Sequence, residues 1–314
     1  MKLYVGITDY DWFKLHASKD FVEEVNFWRP SSPTNFRALQ WGEPFLFKLH
    51  SPLNFIAGGG FFTKFLPLPI SLAWEVFGEA NGARSLDEVR AAIARYRHRP
   101  IPANEDPMIG CIILTEPFFF ERDDWIPVPG DFRPGIQRGK QYDMESGTGV
   151  ALWNQVTERL DRARLRSFGP ATIAAQESAR YGKPILVAPR LGQGSFRILV
   201  TDAYQRRCAV TAERTLPVLE AAHINPYAAG GKHQLSNGLL LRSDIHTLFD
   251  RFYLTIEPKE KTILVSRRIR EEFENGRDYY ALHGRKLAQP ANQLAIPSFE
   301  SLSYHTEQFS ALEG

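Results

Sequence analysis

Two histidines and an asparagine lie close together in the last third of the sequence, in types and order that suit hydrolysis of a phosphodiester. His223, Asn237 and His246 fall within the segment EAAHINPYAAGGKHQLSNGLLLRSDIHTLFD. A neutral imidazole can take a proton from water, an amide can hold that imidazole in place, and a second imidazole can bind a divalent metal ion. These three residues therefore predict a metal-dependent phosphodiester hydrolase site.

Two short strands and a helix are expected to position these side chains. The run 216–224 (LPVLEAAHI) is typical of a strand, and residues 239–241 of a second apolar strand. Ser243 is placed to cap a helix that follows. Its apolar positions recur at helical spacing, at Ile245, Leu248, Phe249 and Phe252. His246 and Asp250, four residues apart, then share one face of this helix, where two ligands can hold one metal ion.

On these residues, the segment from roughly 190 to 256 resembles the HNH nuclease superfamily. The ββα-metal fold of that superfamily carries a histidine on its first strand, an asparagine in the loop and a histidine on the helix. The resemblance implies His223 as the general base, Asn237 as the residue that orients His223 or its loop, and His246 as a metal ligand with Asp250 as the second. It also implies one divalent ion, Mg²⁺ or Mn²⁺, in each active site.

The segment departs from the superfamily pattern at two places. Many members have Asp or His immediately before the base as a further metal ligand, whereas this chain has Ala222 there. The metal would then depend on Glu220, Asp250 or water. Many members also carry paired CxxC zinc knuckles, but the two cysteines here, Cys111 and Cys208, lie far apart, so no structural zinc is expected.

Composition is that of an ordinary globular protein. The chain has 314 residues, 43% of them hydrophobic and 24% charged, which predicts about two domains. No apolar run approaches the ~20 residues that a membrane span needs. The start MKLYVGITDYDWF lacks the basic and apolar regions of a secretion signal. With two cysteines that suit a reducing compartment, we expect a cytoplasmic protein without membrane association.

Positive charge is concentrated just before the histidine-bearing segment. Residues 158–214 hold eleven Lys and Arg against five acidic residues, although the net charge of the whole chain is only +2. Such a cluster can neutralise phosphates and give salt-sensitive affinity for DNA. The candidate DNA-binding residues are Arg190, Arg197, Arg206 and Arg207.

The first 150 residues differ from the rest in composition. Residues 1–65 hold fifteen of the 39 aromatic side chains. Strand-like runs alternate with turn signals, as in KLYVGI, EVNFW, PFLFKLH, NFIAGGGFF and IGCIILTEPFFF. One clear helix opens at the capping box Ser85 to Glu88 and ends before Pro100. Strands with few helices predict a small mixed β-barrel.

The segment NFWRPSSPTNFRALQWGEPFLFKLHSPLNFIAGGG resembles the EVE and YTH branch of the PUA-like superfamily, in which a pocket holds a modified base. The likeness depends on Trp28, Asn35 and the strand from Gly42 to Ser51. An EVE-type domain followed by an HNH domain resembles modification-dependent (type IV) restriction endonucleases, which attack DNA containing 5-methylcytosine or 5-hydroxymethylcytosine in phage defence.

These resemblances predict an α+β protein of three parts. We expect a PUA-like (EVE/YTH-type) mixed β-barrel for modified-base recognition over residues 1–150, a helical connector over 151–186, and an HNH ββα-metal nuclease domain with a C-terminal extension over 187–314. The expected partner is double-stranded DNA that carries modified cytosine. Since one active site cuts one strand, double-strand cleavage needs a dimer, a second binding event or two nicks, and we expect a homodimer.

Inspection of a modified cytosine is easiest after the base has flipped into a pocket. Unstacking costs a few kcal/mol, and stacking on aromatic side chains can return ~1–3 kcal/mol per base. The candidates for stacking are Tyr10, Trp12, Trp28 and Trp41, and those for the polar edge of the base are Asp11 and Asn35. Two alternatives stay open: an HNH nuclease whose first domain recognises RNA, unmodified DNA or phosphorothioate DNA, and a silenced nuclease that acts as a DNA-binding regulator.

Overall fold

The strand-like runs of the N-terminal half form one mixed sheet in the computed structural model. The structure describes residues 1–31, 36–168, 191–226 and 234–313, without the side chains of residues 164–168. It divides into two compact units, Met1–Pro189 and Arg190–Gly314. Both units contain helices and strands, so the prediction of an α+β protein is confirmed.

The sheet of the N-terminal unit has seven strands. They are β1 (Lys2–Thr8), β2 (Glu24–Arg29), β3 (Pro44–Leu49), β4 (Phe55–Pro69), β5 (Met108–Phe119), β6 (Ile126–Pro127) and β7 (Gly139–Asp143). Their order is β2-β5-β4-β3-β1-β7, with β6 paired to β4. Strand β1 runs parallel to β3 and the other neighbours are antiparallel, which confirms a mixed sheet. Within the described residues, this sheet is an open path from β2 to β7.

In the described residues of this unit, four α-helices accompany the sheet: α1 (Tyr10–Ala17), α2 (Ile70–Phe77), α3 (Leu86–Arg97) and α4 (Gly147–Phe168). Helix α3 begins as predicted, because the Ser85 hydroxyl accepts a hydrogen bond of 3.2 Å from the backbone N–H of Glu88. It ends at Arg97, and the C-cap residue His98 has a left-handed φ of 53°. Helices α1 and α2 were not predicted; both are only 8 residues long and each follows a strand within two residues.

The sheet buries apolar side chains on both faces, because successive strand residues point to opposite sides. On β3, Phe45 and Phe47 belong to one core cluster together with Trp12 and Phe13 of α1. Leu46, between them, belongs to a second cluster that includes Leu152 and Val156 of α4. The first turns of α4 therefore pack on the N-terminal core. Residues 169–186 of the predicted connector lie outside the described part of the chain, and the domain boundaries stay a prediction.

The C-terminal unit is built from short elements. Its helices are α5 (Gln193–Ala203), α6 (Ser243–Asp250), α7 (Arg268–Phe273), α8 (Arg277–Tyr280) and α9 (Phe299–Glu313). Its strands are β8 (Leu219–His223), β9 (Gly238–Arg242), β10 (Leu254–Ile256) and β11 (Ile263–Val265). Strands β8 and β9 form one antiparallel pair and β10 and β11 another. In the described residues of either unit, no helix has the length and apolar character needed to cross a bilayer.

Three local predictions for this unit were wrong in detail. The strand predicted over 216–224 begins at Leu219, because residues 216–218 form a 3₁₀ turn around Pro217. Ser243 is the first residue of α6 rather than its cap, and Arg242 precedes it without a side-chain cap. The helix ends at Asp250, since Phe252 has a φ of 55° and turns the chain into β10.

Candidate active site

The hairpin of β8 and β9, together with α6, carries the three residues singled out in the sequence. His223 ends β8 and pairs in register with Gly238, the first residue of β9. The half-buried imidazole of His223 stacks on the Phe196 ring of α5, with centroids 4.0 Å apart and planes 7° from parallel. Phe196 is itself only 1% exposed, so it is a fixed surface for the ring. This stack restrains the orientation of the His223 imidazole.

Gly238 makes room for that stack. A Cβ atom on Gly238 would lie 2.5 Å from Cγ2 of Val200 and 3.0 Å from two ring atoms of Phe196. Contacts of 2.5 Å are far inside the usual carbon–carbon separation of about 3.5–4.0 Å. A glycine is therefore needed next to His223 for α5 to pack this closely.

Asn237 ties down the chain that leaves the His223 strand. Its side-chain Oδ1 accepts from the backbone N–H of Asn225 at 2.9 Å, and its Nδ2 donates to the Asn225 carbonyl at 3.0 Å. The backbone carbonyl of Asn237 also accepts from the N–H of Ile224 at 2.9 Å. Asn237 is 4% exposed, so these bonds are sheltered from water. The amide thus holds the backbone just after His223 in place.

His246, on α6, lies between two carboxylates. Its Nδ1 is 2.6 Å from Oε2 of Glu220 on β8, and its Nε2 is 3.3 Å from Oδ2 of Asp250 one helical turn later. Burial raises the pKa of Asp250; the imidazole of His246 opposes this shift and the charge of Glu220 adds to it. A carboxylate whose charged form is disfavoured in this way would be stabilised by a nearby cation.

His246 and Asp250 fit a divalent cation in chemistry and in spacing. Imidazole nitrogen and carboxylate oxygen are common ligands, and adjacent ligands of an octahedral ion with bonds of about 2.1 Å lie about 3 Å apart. In the described part of the chain, no three His, Cys, Asp or Glu side chains converge as a ready-made metal site. Glu220 does not complete one, because it contacts the nitrogen of His246 opposite to the one that faces Asp250.

The hairpin and α6 lie within a segment that matches a known protein family. The family model described as HNH endonuclease matches residues 208–257. These residues form an HNH endonuclease domain. The prediction of an HNH nuclease domain in this part of the chain is thereby confirmed, and the matched range includes β8, β9, α6 and β10. HNH nucleases generally use a divalent metal ion, and the family suggests DNA as the partner.

Two solved structures show distant likenesses to this chain. ASCH from Zymomonas mobilis is 11% identical with a TM-score of 0.33, and the match covers 48% of this chain and 94% of that chain. The modification-dependent TagI restriction endonuclease is 12% identical with a TM-score of 0.27, over 92% of this chain and 76% of that chain. No curated protein matches the chain.

Five of the six candidates for a modified-base pocket lie in the described residues, and their surroundings differ. Trp12 is 6% exposed and packs edge-on against Phe47 in the core. Tyr10, 43% exposed, and Asp11 lie on the outer side of the same helix. Trp28 and Trp41 are half-buried, and no ring contact joins either one to Tyr10 within this part of the chain. Asn35 lies outside the described residues.

Trp28 and α1 are instead connected through a tyrosine that sequence reasoning did not identify. The Trp28 ring contacts Tyr96 of α3 edge-on at 5.8 Å, and its Nε1 donates to the backbone carbonyl of Asn81. The Tyr96 hydroxyl donates to Asp9, the N-cap of α1, at 2.8 Å. Burial raises the pKa of Tyr96 to about 12, and this hydrogen bond adds to the shift. Tyr96 therefore stays protonated and links Trp28 to the N-cap of α1.

The arginine candidates in the described residues lie on α5 and in the turn that follows it. Arg197 is exposed on that helix, and Arg206 and Arg207 are exposed in the turn that follows it. The turn is tight, because Gln205 and Arg206 have φ values of 53° and 57°. Arg190 lies outside the described residues.

Sequence reasoning missed one functional neighbour of His223 and left the role of another residue open. Phe196 lies 27 residues before His223, and no sequence pattern links a helix residue to a ring stacked on it. Glu220 was one of three alternatives for the metal. Because side chains alternate along a strand, Glu220 lies on the same face of β8 as Ala222. From that face, the longer side chain of Glu220 can reach α6.

Proposed function

We propose that this protein is a modification-dependent DNA endonuclease. The N-terminal unit binds 5-methylcytosine or 5-hydroxymethylcytosine after the base has flipped out of the duplex, and the HNH domain hydrolyses the phosphodiester. The observation that carries the proposal is the HNH domain over 208–257, in which His223, Asn237 and the His246–Asp250 pair lie on the hairpin and helix that the family match covers.

In the proposed mechanism, His223 is the general base. Its half-buried ring is stacked on Phe196, so one ring orientation is favoured before substrate binds. The neutral imidazole takes a proton from the attacking water, and Asn237 keeps the following backbone from shifting the ring. His223 and Asn237 are therefore already arranged for the reaction before substrate binds.

His246 and Asp250 are the proposed metal ligands. A bound divalent ion, Mg²⁺ or Mn²⁺, supplies charge stabilisation to the phosphate and to the leaving oxygen. The role of this chain is to present an imidazole nitrogen and a carboxylate oxygen 3.3 Å apart on one helix face. The partial burial that raises the pKa of Asp250 also strengthens its attraction to a cation.

For base recognition, the candidates with accessible rings are Tyr10, Trp28 and Trp41. Trp28 is held by Asn81 and Tyr96, so its ring is fixed rather than mobile, which suits a stacking surface. Trp12 packs within the core, where it supports α1. We propose that Arg197, Arg206 and Arg207 contact phosphates beside the active site, and that two copies of the chain cut the two strands.

Digestion of matched DNA duplexes tests this proposal. Three duplexes of one sequence, carrying cytosine, 5-methylcytosine or 5-hydroxymethylcytosine, are incubated with the protein and Mg²⁺ or Mn²⁺. We expect cleavage of a modified duplex at least tenfold faster than of the unmodified one. Equal cleavage of all three duplexes would contradict the proposed specificity for modified cytosine, but it would still support the nuclease activity.

Two variants separate recognition from catalysis. His223→Ala is expected to lower the cleavage rate at least a hundredfold, since general-base contributions are about 10²–10⁴, while DNA binding measured by gel shift stays within about threefold. Trp28→Ala is expected to reduce the preference for modified DNA while metal-dependent nicking persists. Normal cutting by His223→Ala would exclude His223 from the mechanism, and an unchanged preference in Trp28→Ala would place the pocket elsewhere.

A further inference from the structure

We infer that Glu220 is a positioning residue, whose carboxylate accepts a hydrogen bond from Nδ1–H of His246 and thereby leaves Nε2 of that ring free of a proton beside Asp250. The inference rests on the proposed roles of His246 and Asp250 as metal ligands. It assigns Glu220 a place beside the ligand set instead of within it.

The distances around the ring favour this arrangement. Oε2 of Glu220 is 2.6 Å from Nδ1, a separation typical of a strong hydrogen bond to a carboxylate, whereas Oδ2 of Asp250 is 3.3 Å from Nε2. In the neutral form that metal binding requires, the imidazole carries a single N–H, and an ionised carboxylate can only accept. If that proton were on Nε2, the Nδ1 lone pair would face the Glu220 oxygen at 2.6 Å, which is repulsive. The proton therefore belongs on Nδ1.

The arrangement leaves two electron-rich atoms facing each other across the gap where a cation is needed. Nε2 of His246 and Oδ2 of Asp250 then both present lone pairs, and a divalent ion is the partner that satisfies both. Histidines that bind metals commonly donate their other N–H to a carboxylate, which fixes the ring and strengthens the ligand. Glu220 supplies that carboxylate from β8, a different element from the one that carries both ligands.

The strand position of Glu220 explains how it reaches the ring. Residues two apart on a strand point to the same face, so Glu220 shares a face with Ala222, which is 1% exposed and has no ligand atom. Glu220 cannot replace the ligand missing at Ala222, because the two nitrogens of an imidazole point in divergent directions. We therefore expect the protein to supply two ligands to the ion and water to supply the others.

Nitrogen NMR of the full chain tests the tautomer directly. The histidine side chains are ¹⁵N-labelled and His246 is assigned with His246→Gln, at pH 8 and without metal. We expect the Nδ1–H tautomer in the wild type and in Glu220→Gln, whose amide oxygen can still accept the hydrogen bond. Glu220→Ala should shift His246 towards the mixture seen in free imidazoles. An Nε2–H tautomer in the wild type, or no change in Glu220→Ala, would overturn the inference.

Calorimetric titration with Mn²⁺ gives the second readout. Glu220→Ala should weaken binding 10–100-fold, as losses of such supporting carboxylates do, while Glu220→Gln stays within about threefold. An equal loss in both variants would make Glu220 a ligand and overturn the inference, as would no loss in either.

The controls separate this inference from the proposed function. Glu260 is another glutamate of the same unit, and its carboxylate forms an ion pair with Lys286 at 2.8 Å. Glu260→Ala should leave the affinity for Mn²⁺ unchanged. Thermal unfolding followed by circular dichroism checks that each variant is folded. If the wild type binds no Mn²⁺, the proposed metal site fails, whereas the tautomer measurement still decides whether Glu220 positions His246.

Discussion

At the scale of single residues, the buried amide of Asn237 holds the backbone that follows His223. Both ends of its side chain bond to backbone atoms of Asn225. Asn237→Asp keeps the shape but replaces the Nδ2 donor by an oxygen that faces the Asn225 carbonyl. We expect a stability loss of about 1–3 kcal/mol and a cleavage rate at least tenfold lower, measured by urea unfolding and plasmid nicking.

Asn225→Ala is the matched control for this prediction. The bonds from Asn237 go to the backbone of residue 225, and the Oδ1 atom of Asn225 is buried with no hydrogen-bond partner among the described residues. Shortening that side chain should therefore have little effect on cleavage. A rate loss as large as that of Asn237→Asp would show that the side chain of residue 225, and not its backbone, is what matters.

At the scale of elements, the contact between α5 and the β8–β9 hairpin determines the orientation of His223. Gly238→Ala would place a Cβ 2.5 Å from Val200 and 3.0 Å from the Phe196 ring, so α5 must move away from the hairpin. We expect a cost of about 1–3 kcal/mol for this overpacking, and slower cleavage because the ring under His223 shifts. Chemical denaturation and nicking rates measure the two effects.

Gly135→Ala is the control for that substitution. A Cβ on Gly135 meets nothing within 4 Å, and Gly135 has no positive φ. Stability and cleavage should therefore stay close to wild type. If Gly238→Ala were equally harmless, the close packing of α5 on the hairpin would not restrain His223.

At the scale of the whole molecule, each unit buries a histidine that must stay neutral in the folded protein. His16 is fully buried beside Trp12, and desolvation lowers its pKa to about 3, with Lys19 adding to the shift and Glu79 opposing it. His305 is 2% exposed and stacks on Phe249 of α6, and desolvation lowers its pKa to about 4, partly offset by its bond to the Phe249 carbonyl. In mild acid, each of these imidazoles is therefore protonated in the unfolded chain but stays neutral in the folded protein.

Acid should therefore destabilise both units. Because each folded pKa lies below the ordinary value of about 6.5, the stability is fully present above that pH and falls as the pH drops towards 4 for His305 and 3 for His16. At pH 5, each histidine should lower the free energy of unfolding by about 2 kcal/mol relative to neutral pH. Urea unfolding at pH 7.5 and pH 5 measures the loss.

His16→Leu isolates one contribution. Leucine cannot be protonated and fits an apolar site next to Trp12 and Phe119. The N-terminal unit of this variant should lose less stability between pH 7.5 and pH 5 than the wild type. The same pH dependence in both proteins would mean that His16 is protonated in the native state.

The sequence by itself determined where the HNH segment and the main strands lie. His223, Asn237 and His246 stand in a short local pattern, and local patterns depend on residue type and spacing alone, so the nuclease domain could be identified. The strands β1 to β5 followed from apolar runs bounded by turn residues, for the same reason. The boundaries of α6 and β8 were less accurate, because the Pro217 turn and the left-handed Phe252 depend on how the ends pack.

Only the tertiary structure decided which side chains meet. The stacking of Phe196 under His223, the contact of Glu220 with His246 and the burial of Trp12 join residues from separate elements. Such contacts depend on helix packing, strand register and the space left by residues such as Gly238, none of which leaves a local trace in sequence. An aromatic residue in a loop-rich segment looks the same whether it faces solvent or the core, and only packing distinguishes Trp12 from Trp28.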